Sequence, residues 1–285
     1  MSNIKTIVRG AYEIQKLRIQ MGNRIVANFK AKLGQEPSMP ESELGDDEKK
    51  VLDKLRLHYR KITDGIKTFP RQANFKGDEV ISSYTELCLL DQYLELEKQE
   101  AKHFNQLGNV LKEYPIYTKF LEKVKGCGVA MSGVIISEID ITKCKYSSSL
   151  WKYAGLDVAA DGQGRSKKKE HLVEVAYIDK DGKEATRVGI TFNPFLKTKL
   201  VGVLASSFLR CGKDNPYSEA YYNYKNRLEN HPAHKEKSLG HRHNMAMRYA
   251  VKRFLVDLYV AWRTIEGLPV ESEYSEGKLG MKHAG

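Results

Sequence analysis

A mostly α-helical protein is predicted, and three observations predict it. Apolar residues recur at three- and four-residue steps through most of the 285-residue chain. Breaks rich in proline and glycine separate long periodic stretches. Strict alternation of apolar and polar residues, the mark of a strand, is confined to one stretch around Asp181-Gly182.

The first element is a basic helix from Ile4 to about Leu33, with Ile7, Ala11, Ile14, Leu17, Met21, Ile25 and Phe29 on one stripe. Residues 34–47, with two prolines and two glycines, form a linker. Residues 46–67 and 78–113 read as two long helices with narrow stripes. The first stripe is Val51, Leu55, Tyr59, Ile62 and Ile66; the second is Tyr84, Leu87, Leu90, Leu94, Ala101, Phe104 and Leu111. Narrow stripes suit an antiparallel, coiled-coil-like hairpin turned around residues 69–78, packed within one chain or against a second copy.

Tyr114-Pro115 opens a different region. Two short helices flank the turn at Lys125–Gly128, and a third short helix follows. An exposed, glycine-rich basic loop then covers 157–170, before a β-hairpin around Asp181-Gly182. Asn193-Pro194 starts a helix with Phe195, Leu196, Leu200, Val203, Leu204 and Phe208 inward. A tyrosine-rich helix comes next, and a last long helix runs from about Gly240 to Glu266. The resulting segments are 1–40 (basic helix and linker), 41–113 (hairpin, expected to mediate dimerisation), 114–270 (a helical domain with a small β-hairpin insert) and 271–285 (tail).

The net charge is +11, and it is segregated. Residues 1–40 carry +5 and residues 194–263 carry +8, whereas residues 41–113 carry −3. Segregated positive charge attracts a polyanion, of which nucleic acid is the commonest inside a cell. No run of 18 apolar residues exists, so no membrane span is expected, and the N-terminal residues lack the pattern of a secretory signal. A cytoplasmic location is the expectation. Cys88, Cys127, Cys144 and Cys211 are scattered, which suits free thiols better than a metal site. His231, His234, His241 and His243 lack a completing Cys or carboxylate at metal-ligand spacing, so neither metal nor cofactor is expected.

Three features carry chemistry. In Lys125-Gly126-Cys127-Gly128 the glycines permit a sharp turn that can aim backbone N–H groups of the following helix at a phosphate. In residues 162–169, Arg165, Lys167, Lys168 and Lys169 place four cations on a pliable loop. On the last helix, His241, Asn244, Arg248 and Lys252 share one face, and Asp257 is the single acidic residue between Gly240 and Trp262. That composition suits phosphate and base contacts better than an ordinary solvated face does. Lys143 and Lys145, and Lys197 and Lys199, are further candidates for RNA or backbone contact. Tyr217, Tyr221, Tyr222 and Tyr224 suit either base stacking or core packing.

Residues 125–155 and 240–263 together resemble the Nop domain of box C/D guide-RNA proteins. They also resemble the transposase domain of bridge-RNA-guided insertion-sequence recombinases. With the ending DLYVAWRTIEGLPV, the stretch from about 80 to 270 is most similar to the Tas proteins of tandem interspaced guide RNA systems, in their stand-alone form. The resemblance implies a Nop-like domain and a guide-RNA-binding protein that recognises double-stranded DNA through RNA pairing, without nuclease activity of its own, as a homodimer. It assigns Lys125, Gly126 and Gly128 to the turn and Arg242, His243, Asn244, Arg248 and Lys252 to the RNA-facing helix. The chain departs from the recombinases in lacking their RuvC-like carboxylates, and their catalytic serine falls on Gln163-Gly164. Ser166 is close by, but its lysine-rich flank offers no evident base. A minimal recombinase and a scaffold that recruits a separate enzyme are the alternatives.

Overall fold

The computed structural model describes residues 2–64, 68–77, 81–212 and 214–272. It is mostly helical, with one two-stranded antiparallel sheet. The chain divides into two compact units, residues 9–106 and residues 1–8 with 107–285. Helices α1 (Ser2–Lys32) and α3 (Tyr84–Leu111) run through the division, and α2 (Asp46–Asp64) lies within the first unit.

In residues 9–106, α3 pairs along its length with α1 rather than only with α2. Tyr12 meets Phe104 edge-on at 5.8 Å, Gln15 and Arg18 bind Glu100, and Lys32 reaches Glu86 at 3.3 Å. These partners run in opposite directions, so the pair is antiparallel. Two apolar clusters complete the unit: Phe29 with Leu44, Leu52 and Leu55, and Ile81 with Leu87 and Leu90, with Ile25 packed on both. Helix α1, expected to stand apart from the second and third helices, therefore packs on both, and the boundary drawn at residue 40 falls inside the unit. The reason is complementarity: a basic helix and an acidic one each lack an apolar face wide enough to stand alone. Part of the N-terminal positive charge is thereby spent on Glu86 and Glu100. Leu17, placed on the α1 stripe by periodicity, is 49% exposed. Tyr59, Ile62 and Ile66 of the α2 stripe lie outside the described side chains.

The second unit is built around the last helix, α11 (Leu239–Ile265). Its Val251, Phe254, Leu255, Leu258 and Trp262 are buried, as a 3.6-residue period requires. Around it stand α4 (Pro115–Lys119), α5 (Val129–Glu138), α6 (Ser147–Tyr153), α7 (Pro194–Lys197), α8 (Ala205–Arg210) and α9 (Pro216–Asn230), with the short α10 (Pro232–Lys235) after α9. Phe254 is sealed by Phe208 at 5.6 Å, Tyr217 at 5.5 Å and Phe120 at 6.4 Å between ring centres. Near its far end, buried Arg263 donates to the carbonyls of Ile141 and Cys144, holding the turn before α6.

Between α7 and α8 the backbone widens into a π-helical stretch, Thr198–Leu204. Leu196, Leu200, Leu204 and Phe208, spaced four apart, are all fully buried. A wider turn holds that spacing on one face, where a 3.6-residue turn would let it drift. It also leaves Val203, expected inside, 44% exposed. Strands β1 (Val173–Ile178) and β2 (Glu184–Gly189) pair with Val173 opposite Gly189 and turn at Asp181-Gly182, in the expected place. Among the described residues no helix is long and apolar enough to cross a membrane.

Candidate functional site

The start of α11 sets the site. Ser238 caps the helix, its hydroxyl accepting from the His241 N–H at 3.2 Å. From there the side chains of His241, Asn244, Arg248 and Lys252 project from one stripe into a cavity of about 720 Å³. The opposite wall is the loop after α6, closed on itself by a bridge between Val158 and Gly164 and by the Arg165 N–H donating to the Asp157 carbonyl at 3.0 Å. Gly164, Ser166 and Lys168 of this loop line the same cavity, as does Lys237 before α11.

Arg248 joins the two walls. Its guanidinium donates to the Gly155 and Asp157 carbonyls, each at 3.2 Å, and lies flat on Gly164, where a Cβ would stand 2.9 Å from the guanidinium carbon. Gly164→Val is therefore expected to force Arg248 out of its seat and weaken anion binding about tenfold, the equivalent of one charge-assisted contact. Titration with labelled RNA at fixed salt, next to thermal unfolding to show an intact fold, checks it.

Beneath the cavity the charge is unbalanced. Asp157 accepts two hydrogen bonds from Arg165, at 3.0 and 2.8 Å, both on Oδ2, and its buried Oδ1 has no hydrogen-bond partner. Lys197, Arg248 and Lys252 then share a partly buried region with that one carboxylate. Burial, and next to it the neighbouring Arg248, brings Lys197 down to about 8. The same two causes lower Lys252, and burial lowers Arg248. Among the described residues no Asp or Glu lines the cavity. Two lysines whose protonated forms are disfavoured by burial and by Arg248 form a site that gains from an anion. Aromatic faces hold them: the Lys252 ammonium sits 5.1 Å from the Trp151 ring and the Lys197 ammonium 4.7 Å from Phe192.

No family model, curated protein or solved structure matches this chain. The site is accordingly read from its own geometry.

The residues singled out in the sequence separate into groups. Asn244, Arg248, Lys252 and Lys168 meet at the cavity, with Lys197 and Arg165 beneath it. Arg242 and His243 turn away: Arg242 donates to the Lys235 carbonyl at 2.5 Å, and His243 Nδ1 lies 2.6 Å from the Tyr221 hydroxyl. Each helical residue advances by about 100°, and both side chains stand off the stripe of His241, Asn244, Arg248 and Lys252, held by these partners. Lys167 and Lys169 are exposed outside the cavity lining, and Lys199 rests on Phe195. Lys143 pairs with Asp140 at 3.4 Å, and Lys145 lies over Tyr146.

The turn of Lys125, Gly126 and Gly128 is also outside the cavity lining. Gly126, at φ +93°, packs against α8, where a Cβ would meet Cys211 Sγ at 3.1 Å and Phe208 at 3.2 Å. Asn215 ties this turn to the start of α9 by donating to the Lys125 carbonyl at 2.7 Å. Close helix packing accounts for that glycine.

Tyr217 and Tyr221 are buried, and the Tyr217 hydroxyl donates to Asp257 at 2.9 Å. Tyr224 instead stacks on Tyr249, 4.3 Å apart and 9° from parallel, at the cavity wall. The same tyrosine pair borders a second hollow of about 410 Å³ that carries Arg227 and Arg253. Periodicity did not single out Tyr249 or Lys237; a tyrosine beside Arg248 on a cationic stripe was the available signal. Cys127 and Cys144 are buried thiols, raised to about 12 and about 11 by burial. Among the described residues no group of three His, Cys, Asp or Glu side chains is placed to hold a metal ion.

Proposed function

We propose that this protein binds nucleic acid in the cavity between α11 and the 157–168 loop, and that the polymer held there is RNA. The observation that carries the reading is the uncompensated positive charge: Lys168, Lys237, Arg248 and Lys252 line a cavity without a facing carboxylate. Phosphates spaced along a backbone neutralise such a row and release their counterions. The Tyr224–Tyr249 stack supports a single-stranded polymer, because an unpaired base has a face to lay on it. The resemblance to Nop-domain and Tas proteins supports the finer reading: a Nop-like module holding a guide RNA that pairs with a DNA duplex, working inside the cell as a homodimer through the helical unit.

Nucleic acid extracted from the purified protein and sequenced tests both levels. A short RNA of discrete length and recurrent sequence is the expected result. RNA of random length and sequence would remove the guide role. A preparation without nucleic acid that also fails to bind added RNA at low salt would remove the reading entirely. A second reading, an enzyme acting on nucleic acid, is favoured by one observation, the surroundings of Ser166.

A further inference from the structure

The sequence around Ser166 offers no evident base, but the fold supplies one. Ser166 Oγ lies 2.9 Å from Nδ1 of His171, and Nε2 of the same ring lies 3.0 Å from Asp161 Oδ2. His171 is 3% exposed, at the end of the loop just before β1. The outermost two of the three residues are only ten positions apart, and the 158–164 bridge folds Asp161 back to reach the ring.

The hydrogen bonds also define the tautomer. The Ser166 backbone N–H donates to His171 Nδ1 at 3.0 Å, so that nitrogen carries a lone pair. The proton then belongs on Nε2, where it is donated to the Asp161 carboxylate. That bond is the first cause holding Asp161 below the usual carboxylate range. Asp161 is held a second time by the Gln163 N–H at 2.9 Å. A neutral imidazole whose lone pair is shared between the Ser166 N–H and hydroxyl, with its own N–H on a carboxylate, can take the serine proton as a general base. The Lys168 N–H donates to Ser166 Oγ at 3.3 Å and fixes the place of the hydroxyl in the loop.

These contacts alone would suit a staple that shapes the loop. Position adds more: Ser166 lines the cationic cavity together with Lys168, Arg248 and Lys252.

We propose that Ser166 is an activated nucleophile, with His171 as its general base and Asp161 as the positioning residue, and that its substrate is a phosphodiester held by the cavity cations. Ser166 Oγ attacks phosphorus while its proton passes to His171 Nδ1. The bond from phosphorus to the leaving nucleoside oxygen, in line on the far side, breaks; that oxygen takes a proton from water while the imidazolium releases its own to solvent. The products are a serine-linked phosphodiester and a free hydroxyl end. Attack by a hydroxyl on the linkage reverses the step and regenerates Ser166, so no oxidant, reductant or nucleotide is consumed. The choice of a phosphodiester rests on the nucleic-acid reading above; the activation of Ser166 does not.

The test is arranged to separate the two. Full-length protein, stripped of nucleic acid, is treated with a fluorophosphonate, whose phosphorus takes an activated serine oxygen as fluoride leaves, and the adduct is mapped by mass spectrometry. One adduct is expected, on Ser166. It should vanish in Ser166→Ala and form about 100-fold more slowly in His171→Gln, in line with the contribution of a general base. Asp161→Asn should slow it too, with the circular dichroism and melting temperature of the parent. A folded parent whose Ser166 stays unlabelled, or a folded His171→Gln that labels at the parent rate, overturns the proposal. Polyuridylate at a concentration that saturates binding by fluorescence anisotropy should protect Ser166 from the probe. Undiminished labelling of the saturated protein overturns the phosphodiester assignment. Polyuridylate that does not bind counts against the nucleic-acid reading instead.

Discussion

Replacing both Arg248 and Lys252 with alanine is expected to lower RNA affinity at least 100-fold, from about 1.5 kcal/mol for each charge-assisted contact. Both side chains line the cavity, and neither has a carboxylate partner across it. The salt dependence should also flatten, by about 0.7 in slope for each single-strand phosphate contact removed. Stability should fall by about 1–3 kcal/mol, because the Gly155 and Asp157 carbonyls lose their donor, so thermal unfolding is measured beside binding. Alanine at Lys143 and Lys145 makes the informative comparison, because both are exposed and outside the cavity. The triple change at Lys167, Lys168 and Lys169 should cost less than the α11 pair, since only Lys168 lines the cavity. Anisotropy titrations of labelled RNA at several salt concentrations measure all three. Equal loss from the lysines outside the cavity would mean that RNA is bound elsewhere.

Phe254→Ala is expected to destabilise the protein by about 3–5 kcal/mol, the usual cost of emptying a fully buried aromatic site. Phe254 is fully buried, and three aromatic rings pack on it, Phe120 just after α4, Phe208 of α8 and Tyr217 of α9. Those neighbours sit on different elements, so they cannot all close the gap without dragging helices apart. Against a typical stability of about 5–15 kcal/mol, that loss is a large fraction. Urea unfolding followed by circular dichroism gives the value, and Phe254→Leu, which keeps most of the volume, should cost much less. The loss should reach function indirectly. Phe254 lies two residues beyond Lys252, and the helix that carries the cavity stripe is seated by this aromatic cluster.

Much of the fold is legible in the chain. Helix α9 begins and ends within the tyrosine-rich stretch expected of it, because Asn215 caps it and Pro216 suits its first turn. The β-hairpin turns where Asp181-Gly182 demands. The stripe His241, Asn244, Arg248 and Lys252 points one way because helix period depends only on backbone geometry. These are local properties, decided within a few residues of each position.

Other features depend on which surfaces meet. The charge of α1 reads as free for a polyanion until Glu100 and Glu86 of α3 are placed against Arg18 and Lys32. Gly126 reads as a phosphate turn until α8 is packed on it. Ser166 reads as a solvated loop serine until the 158–164 bridge turns the loop back and His171 comes within 2.9 Å. Sequence by itself determined the helices, their faces and the cationic stripe. Tertiary structure decided which charges are cancelled, which cations share a cavity and which hydroxyl meets an imidazole. The division has a physical cause: periodicity and capping are short-range, whereas burial, ion pairing and the closing of a loop depend on partners brought together only when the core assembles.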